Sequence, residues 1–274
     1  MKPVTYGLGI KNRMKEFDVE KFSSMSKNVT KDIVINENGA LTINVPGNKN
    51  PIEDVRKIRV TKGVACAINE EVMVEGYGAK LDRDIELEEG ATLILNKVLT
   101  GGTGYVFSTR NVVLGRNASL TIYETITDGK FIRHHTNTTL TDNATLRHNT
   151  IFHTTAEHDI KSAVKVDGTN AKAQLVARGV VENNAKGLFL GSVNIGKDAA
   201  GGIGHQKADV LLLGDNAIGE AVPILEVEND DVVCSHGATI SKIDDEMLLY
   251  VMSRGVSLED AKKVIVNGFL GVEE

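Results

Sequence analysis

"IELEEGATLIL" at residues 85–95 and "VVLGRNASLTI" at residues 112–122 share one pattern, in which two runs of alternating apolar residues flank a Gly or Asn turn and an alanine. "TTLTDNATLRH" at residues 138–148 and "VKVDGTNAKAQL" at residues 164–175 repeat this pattern. The alanines of the four copies are separated by 27, 26 and 27 residues; they are Ala91, Ala118, Ala144 and Ala171. Four copies at nearly constant spacing indicate an internal structural repeat.

Apolar residues also hold fixed positions within each copy. The position four residues before the alanine is Leu87, Leu114 or Leu140, and the position two residues after it is Leu93, Leu120 or Leu146. One extra turn residue in the fourth copy moves these positions to Val166 and Ala173. Alternation with a period of two inside a longer repeat indicates strands that face a shared interior and stack at about 4.8 Å per rung. The sequence therefore predicts a mainly β protein, a parallel β-solenoid, with an ordinary β-sandwich as the alternative.

The repeat suggests three segments along the chain. "DIVINENGALTINVPG" has the same strand and turn order, so we predict a β-helix core at residues 32–236, preceded by an N-terminal segment at residues 1–31. Beyond it, apolar residues spaced by three and four predict a C-terminal helical region at residues 237–274. Gly255 is a suitable helix stop and Ser257 a suitable N-cap, which makes the region a short helical hairpin. Its wide apolar coverage fits either the docking of a protein partner or a cap on the solenoid.

Composition excludes several classes of function. The net charge is −6 and the pI about 5.7, so nucleic acid and anionic membrane surfaces are not expected partners. The first residues lack the apolar core of a signal peptide, and no stretch approaches the roughly 18 apolar residues of a membrane span. Two cysteines, Cys66 and Cys234, are expected to be free thiols. These features together predict a cytoplasmic protein.

Three common enzyme motifs do not occur in the sequence. The glycine-rich "TGGTGYVFSTRN" at residues 100–111 lacks the Lys-Ser/Thr of a P-loop, so we expect this chain to bind no nucleotide. Neither a G-x-S-x-G elbow nor an H-E-x-x-H motif occurs. A carbohydrate-active or purely structural solenoid remains the alternative, because Asp167, Lys197 and Asp198 could supply a charged groove.

A group of histidines raises the question of a metal site. Five of the seven histidines lie between residues 134 and 158; they are His134, His135, His148, His153 and His158. Imidazole is a common ligand for zinc, copper and iron. His148, however, occupies the repeat position that elsewhere holds Leu95 and Ile122, which predicts a hydrogen-bonded core residue instead.

Cys234 and His236 form a second candidate, "CSH", near the end of the predicted solenoid. Two ligands at this spacing complete no site alone. A closing edge strand could pair with another subunit and bring two copies together across a twofold axis. The alternative is a buried cysteine beside a histidine that satisfies a nearby carbonyl.

The segment at residues 223–270 resembles the C-terminal core of the SufB/SufD family, the scaffold components of Suf-type iron–sulfur cluster assembly. The resemblance is carried by Pro223, Glu226, Cys234, "SHGAT" at residues 235–239, Ile243, Glu246, Tyr250, "SRG" at 253–255 and "VNGF" at 266–269. "CSHGAT" is similar to SufD-like members, since SufB-like members have a glutamate at the position of Gly237 and a cysteine near Ala208. "VNGFL" is closer to SufB, and the chain has the length of a minimal or archaeal-type member.

The resemblance implies a right-handed parallel β-helix and a non-enzymatic scaffold. It implies a homodimer, or a heterodimer with a SufB-like subunit, that assembles a transient iron–sulfur cluster at the dimer interface. The implied metal ligands are Cys234 and His236, with His205 as a further candidate. It also implies that the C-terminal helices bind a SufC-type ABC ATPase, which hydrolyses the ATP. The residues expected to contact this partner are Ile243, Glu246, Met247, Leu248, Tyr250, Val251, Arg254, Ile265 and Phe269.

Overall fold

A computed structural model of the chain describes residues 27–46 and 50–271. Most of the N-terminal segment predicted at residues 1–31 lies outside these described residues. The strands are β1 Lys27–Ile35, β2 Gly39–Val45, β3 Ile52–Val60, β4 Ala65–Met73, β5 Gly78–Leu87, β6 Thr92–Thr100, β7 Tyr105–Leu114, β8 Ser119–Thr127, β9 Phe131–Leu140, β10 Thr145–Thr154, β11 Glu157–Val166, β12 Lys172–Glu182, β13 Lys186–Ile195, β14 Gly202–Leu213, β15 Ile218–Val227 and β16 Val232–Lys242. Two helices follow, α1 Asp245–Met252 and α2 Leu258–Leu270.

The strands form two parallel sheets that wind into one solenoid. The odd-numbered sheet has the order β1-β3-β5-β7-β9-β11-β13-β15, and the even-numbered sheet has the order β16-β14-β12-β10-β8-β6-β4-β2. Each strand thus pairs with the strands two before and two after it, so one turn comprises one strand from each sheet. The chain makes about eight turns, which confirms the predicted β-solenoid followed by two C-terminal helices. The domain limits at residues 32, 236 and 237 stay predictions.

The backbone geometry of one corner, which recurs in successive turns of the solenoid, explains the sequence repeat. The residue before each repeat alanine has a positive φ: Gly90 (69°), Asn117 (59°), Asn143 (55°) and Asn170 (55°). This left-handed conformation favours glycine and asparagine, which accounts for the turn residues in the pattern. The alanine that follows is completely or almost completely buried in every copy. A corner of this shape leaves space only for a methyl group, so the alanine recurs with the turn.

Apolar ladders fill the interior at the positions that the repeat predicts. Leu87, Leu114 and Leu140 are at most 1% exposed and pair in register through β5, β7 and β9. The second ladder runs through β6, β8, β10 and β12, with Leu93, Leu120, Leu146 and Ala173. Burial of such continuous rows is the main stabilising contribution to the fold.

The C-terminal helices pack on the outer face of the even-numbered sheet. Val180, Leu211 and Leu213 point away from the solenoid interior and are nevertheless buried, because α2 covers them with Val266 and Leu270. The Ser257 side chain accepts a hydrogen bond from the Asp260 N–H, so the predicted N-cap is confirmed. The hairpin therefore covers the side of the solenoid and leaves the terminal strands β15 and β16 partly open.

Within residues 27–46 and 50–271, neither helix has the length and apolar character needed to cross a membrane.

Candidate functional site

Cys234 and His236 lie on β16, the last strand of the even-numbered sheet. Their register partners on β14 are Gly204 and Gln206, which are both buried in the solenoid interior. Because strand residues alternate between faces, Cys234 and His236 share the inward face. β16 has a partner strand on one side only, so both residues lie at the open end of the solenoid.

The Cys234 thiol lies beside Gly204, where the lack of a side chain leaves room for it. A Cβ atom placed on Gly204 would lie 3.5 Å from the Cys234 Sγ. Burial raises the pKa of the thiol above its ordinary value, and a backbone hydrogen bond at Gly204 opposes this only in part. The thiol is therefore protonated at neutral pH in this chain alone. Among the described residues, no positively charged neighbour lowers the pKa of this thiol, whereas a metal ion or a further positive group would favour the thiolate.

Gln206 is the register partner of His236 and places a polar side chain in the solenoid interior. Its Nε2 donates a hydrogen bond of 2.8 Å to the carbonyl of Ile224 on β15, which ties the two terminal turns together. Its Oε1 is buried and accepts no hydrogen bond within the part of the chain that the structure describes. His236 itself is exposed.

His205 lies on the opposite face of the same sheet. Its register partner is Ser235, and its Nδ1 lies 2.7 Å from the Ser235 Oγ. Both residues line a shallow depression of about 260 Å³, whose lining also includes His236. The structure thus brings Cys234 and His236 together and places His205 on the other side of the strand. In the described ranges, no group of three or more His, Cys, Asp and Glu side chains has an arrangement that could hold a metal ion.

The terminal turn is unusually exposed for an interior surface. Ile240, which follows Cys234 and His236 on the inward face of β16, is 45% exposed. β15, opposite, likewise has a partner strand only on its β13 side. Apolar side chains and unpaired backbone groups on the same edge are typical of a surface that another chain covers.

The histidines at residues 134–158 divide between the two faces of their strands. His134 and His148 point inward, and both contact the buried carboxylate of Glu124, at 3.0 and 2.7 Å. This confirms that His148 is a hydrogen-bonded core residue. His158 is buried as well, and its Nε2–H donates to the Asp128 carbonyl at 2.7 Å.

The other two histidines of this stretch form pairs on the outer surface. His135 contacts Asp159 at 3.3 Å, and His153 contacts Glu182 at 2.9 Å. Their separation from His134, His148 and His158 follows from strand alternation. The five histidines therefore serve several different hydrogen-bonding groups, and the structure does not bring them to one site.

The residues predicted to bind a partner divide into an exposed and a packed set. Met247 and Tyr250 on α1 are 50% and 62% exposed. Glu246 and Arg254 are also exposed, and the Arg254 Nη2 donates to the Tyr250 hydroxyl at 3.1 Å. Val251 is half-buried. Four apolar members are buried or partly buried within this chain: Leu248, Ile243, Ile265 and Phe269.

Gln206 was not among the residues that the sequence singles out. Its position became evident only from the register, in which His148, Leu175, Gln206 and His236 follow one another on one inward ladder. The spacing along this ladder changes from 27 residues to 31 and then 30, so the 27-residue period could not be extended to β16.

A parallel β-solenoid with a thiol and an imidazole at its open end, and a helical hairpin on its side, defines a β-helix protein. Residues 64–269 match the family described as "SUF system FeS cluster assembly, SufBD core domain". This match covers most of the chain, and the protein belongs to the SufBD family.

Individual relatives are similar over shorter parts of their own length. The iron–sulfur cluster assembly protein SufD of Escherichia coli is 30% identical over 166 residues, which are 60% of this chain and 39% of the relative. SufD of Bacillus subtilis is 25% identical over 244 residues, 89% of this chain and 45% of the relative. A SufBD family protein of Staphylococcus haemolyticus is 35% identical over 101 residues, 37% of this chain and 22% of the relative. The chain thus spans less than half the length of each of these relatives.

Proposed function

We propose that this chain is a SufD-like scaffold subunit of Suf-type iron–sulfur cluster assembly, which pairs through the open end of its solenoid and holds the nascent cluster there. The single observation that carries the proposal is the placement of Cys234 and His236 on the inward face of the terminal strand β16. Membership of the SufBD family and the two SufD relatives support it.

The donor set suits iron but is incomplete in one copy. Cysteine thiolate is the usual ligand of iron–sulfur clusters, and histidine replaces it in some of them. One copy supplies one thiol and one imidazole at this end, whereas a cluster takes four protein ligands in the common case. A second SufBD-type chain that packs against β15 and β16 would supply the missing donors. The cluster is the cargo of this site and leaves it after assembly.

Metal binding also provides the thiolate that the isolated chain lacks. The raised pKa of Cys234 means that the thiol is retained until iron or a partner group arrives. A coordinating metal deprotonates a thiol directly, so binding releases a proton. The raised pKa of the half-buried Cys234 keeps its thiolate fraction low and thereby slows unspecific oxidation between assembly cycles.

The exposed side of the helical hairpin is the proposed docking surface for a SufC-type ATPase. Met247 and Tyr250 form an exposed apolar patch on α1, while α2 fixes the hairpin to the sheet through Val266 and Leu270. An aromatic and a methionine side chain at a patch of this kind are typical of interface cores. ATP would be hydrolysed by the partner.

Size-exclusion chromatography with light scattering tests the scaffold role. We expect the chain to elute as a dimer or to pair with a SufB-like subunit, and to co-elute with the SufC-type ATPase of its own organism. Tyr250→Ala and Met247→Asp should abolish co-elution with the ATPase, while Lys262→Ala, an exposed change on α2, should retain it. A monomer under every condition, or an ATPase complex that is insensitive to the α1 variants, would contradict the proposal.

A further inference from the structure

Charged side chains occupy the interior of the first half of the solenoid. Seven ionisable groups between β3 and β8 are buried between the two sheets, each at most 8% exposed; they are Asp54, Arg56, Glu70, Arg83, Lys97, Arg110 and Glu124. Four of these groups are basic and three are acidic. Charges of this kind are rarely buried unless each has a partner, because their desolvation costs several kcal/mol per ion.

The groups nearest to β3 are paired except at one donor, since the Arg83 Nη2 is buried without a hydrogen-bond partner in the described part of the chain. Arg56 donates two hydrogen bonds to Asp54, at 2.7 and 2.8 Å. Arg83 contacts Asp54 at 2.8 Å through Nη1 and Glu70 at 2.7 Å through Nε. Lys97 lies 3.3 Å from the second oxygen of Glu70. Two carboxylates therefore serve three cations in this part of the interior.

Within the described residues, Arg110 leaves two of its donor nitrogens unpaired, one more than Arg83. Its Nη1 donates to Glu124 at 3.1 Å and to Thr136 at 3.4 Å. Its Nε and Nη2 are buried and have no hydrogen-bond partner in the described part of the chain. Such buried guanidinium donors normally find an acceptor, since leaving them unpaired costs more than the hydrogen bond itself contributes.

Glu124 cannot supply the missing acceptor. His148 and Thr150 contact its Oε1, at 2.7 and 3.0 Å. His134 shares its Oε2 with Arg110, at 3.0 Å. Both oxygens are thus already used by two partners each, and the carboxylate has no further oxygen to turn toward the Arg110 Nε and Nη2.

Among the described residues, β3 to β8 bury no further carboxylate that would balance the surplus positive charge. Burial lowers the pKa of His134 to about 4, so this ring adds no charge at neutral pH. The pKa of Lys97 is lowered to about 8, first by burial and further by repulsion from Arg110 and Arg83, while Glu70 opposes the change. Lys97 therefore still carries its proton at pH 7. A water molecule could accept the free Arg110 hydrogen bonds, but it would leave the surplus charge in place.

We propose that the solenoid interior beside Arg110 binds a small monovalent anion of chloride size. The free Nε–H and Nη2–H of Arg110 donate to it, and the charge of Lys97, on the facing strand β6, stabilises it. The anion balances the four cations against the three carboxylates. This site lies several turns from Cys234 and His236 and does not depend on the proposed scaffold function.

Thermal unfolding of the full chain in different salts is the first test. At constant ionic strength, replacing gluconate by chloride or bromide should raise Tm by about 2 °C at a tenfold excess over the anion Kd. Lys97→Met removes the surplus cation and fills the same space, so it should fold and lose the halide-dependent shift. Lys62→Met is the matched control, because this exposed lysine pairs with Glu89 at the surface, and it should keep the shift.

Crystals of the wild-type chain grown in bromide give an independent result. We expect an anomalous difference peak within hydrogen-bonding distance of the Arg110 Nε and Nη2, which does not require any variant to fold. Equal Tm values in halide and gluconate together with an ordered water and no bromide peak at this position would overturn the proposal. A halide shift that persists in Lys97→Met would place the anion elsewhere and overturn it as well.

Discussion

The thiol of Cys234 lies 3.5 Å from the position that a Cβ atom on Gly204 would occupy, so the glycine leaves the space that the cysteine uses. The two residues are register partners on β14 and β16. The same Cβ would lie 2.8 Å from the Val193 Cγ1 and 3.3 Å from the Ile195 Cδ1. The absence of a side chain at Gly204 thus leaves room in the solenoid interior for the Cys234 thiol.

Gly204→Ala should disturb this end of the solenoid. Because the added methyl group overlaps Val193, we expect a loss of about 1–3 kcal/mol in the free energy of unfolding. Gly237→Ala is the matched control on β16, since nothing lies within 4 Å of its added Cβ and alanine suits a strand better than glycine. Urea unfolding monitored by circular dichroism compares the two. Similar free energies for both variants would show that Gly204 has no packing role.

Glu124→Gln should be strongly destabilising, because it removes the charge that Arg110, His134 and His148 share. Breaking a buried ion pair from one side costs about 3–5 kcal/mol. Glu182→Gln provides the comparison, since that carboxylate and its partner His153 are 29% and 33% exposed, and should cost less than about 1 kcal/mol. Equal losses in the two variants, measured by denaturant unfolding, would contradict the assigned buried network.

Stability should increase with pH across the acidic range. Burial lowers the pKa of His158 to about 4, whereas an unfolded histidine titrates near 6.5. Between these values the unfolded chain binds more protons, so the free energy of unfolding rises from about pH 4 to 6.5 and then levels off. His134 contributes in the same direction, for the same reason.

His158→Gln isolates one part of this pH dependence. Glutamine can still donate a hydrogen bond to the Asp128 carbonyl but does not titrate. Urea unfolding at intervals between pH 4 and 7.5 should therefore give a smaller slope for the variant than for the wild type. An unchanged slope would mean that His158 is not buried in its neutral form.

Both thiols should react slowly in the native protein. Burial raises the pKa of Cys66 and of Cys234. At pH 7 we expect iodoacetamide to modify Cys234 well below the rate of an unfolded thiol and Cys66 more slowly still, because Cys66 is only 8% exposed. Mass spectrometry of the Cys66→Ala variant follows Cys234 alone. Labelling of Cys234 at the unfolded rate would contradict the protected position assigned to it.

The sequence repeat predicts the solenoid because each turn needs the same corner, a residue with positive φ followed by a buried alanine. Gly90, Asn117, Asn143 and Asn170 all adopt positive φ values, and the following alanine fits only a tight corner. Because side chains alternate between the two faces of a strand, Lys97 and Glu124, each six residues after its repeat alanine, lie on the inward face. The repeat phase therefore carried a signal for the buried charges, although their pairing required the facing sheet.

The candidate site was less accessible from sequence. Register partners on β14 and β16 are 30 residues apart, whereas those on β6 and β8 are 27 apart, so the period does not fix which face His205 takes. Periodicity along α1 and α2 likewise identifies apolar residues without telling which of them pack on the sheet. Leu248 and Phe269 are packed within the chain, while Met247 and Tyr250 are exposed, and only the docked position of α2 separates them.

Anaerobic reconstitution with iron and sulfide tests the central claim most directly. Cys66 and Cys234 occupy the same inward ladder of the even-numbered sheet, from β4 to β16, and only Cys234 lies at the open end. We expect visible charge-transfer absorption in the wild type and in Cys66→Ala, and its loss in Cys234→Ala with the fold retained. Undiminished absorption in Cys234→Ala, or loss in Cys66→Ala alone, would contradict assembly at the terminal strand.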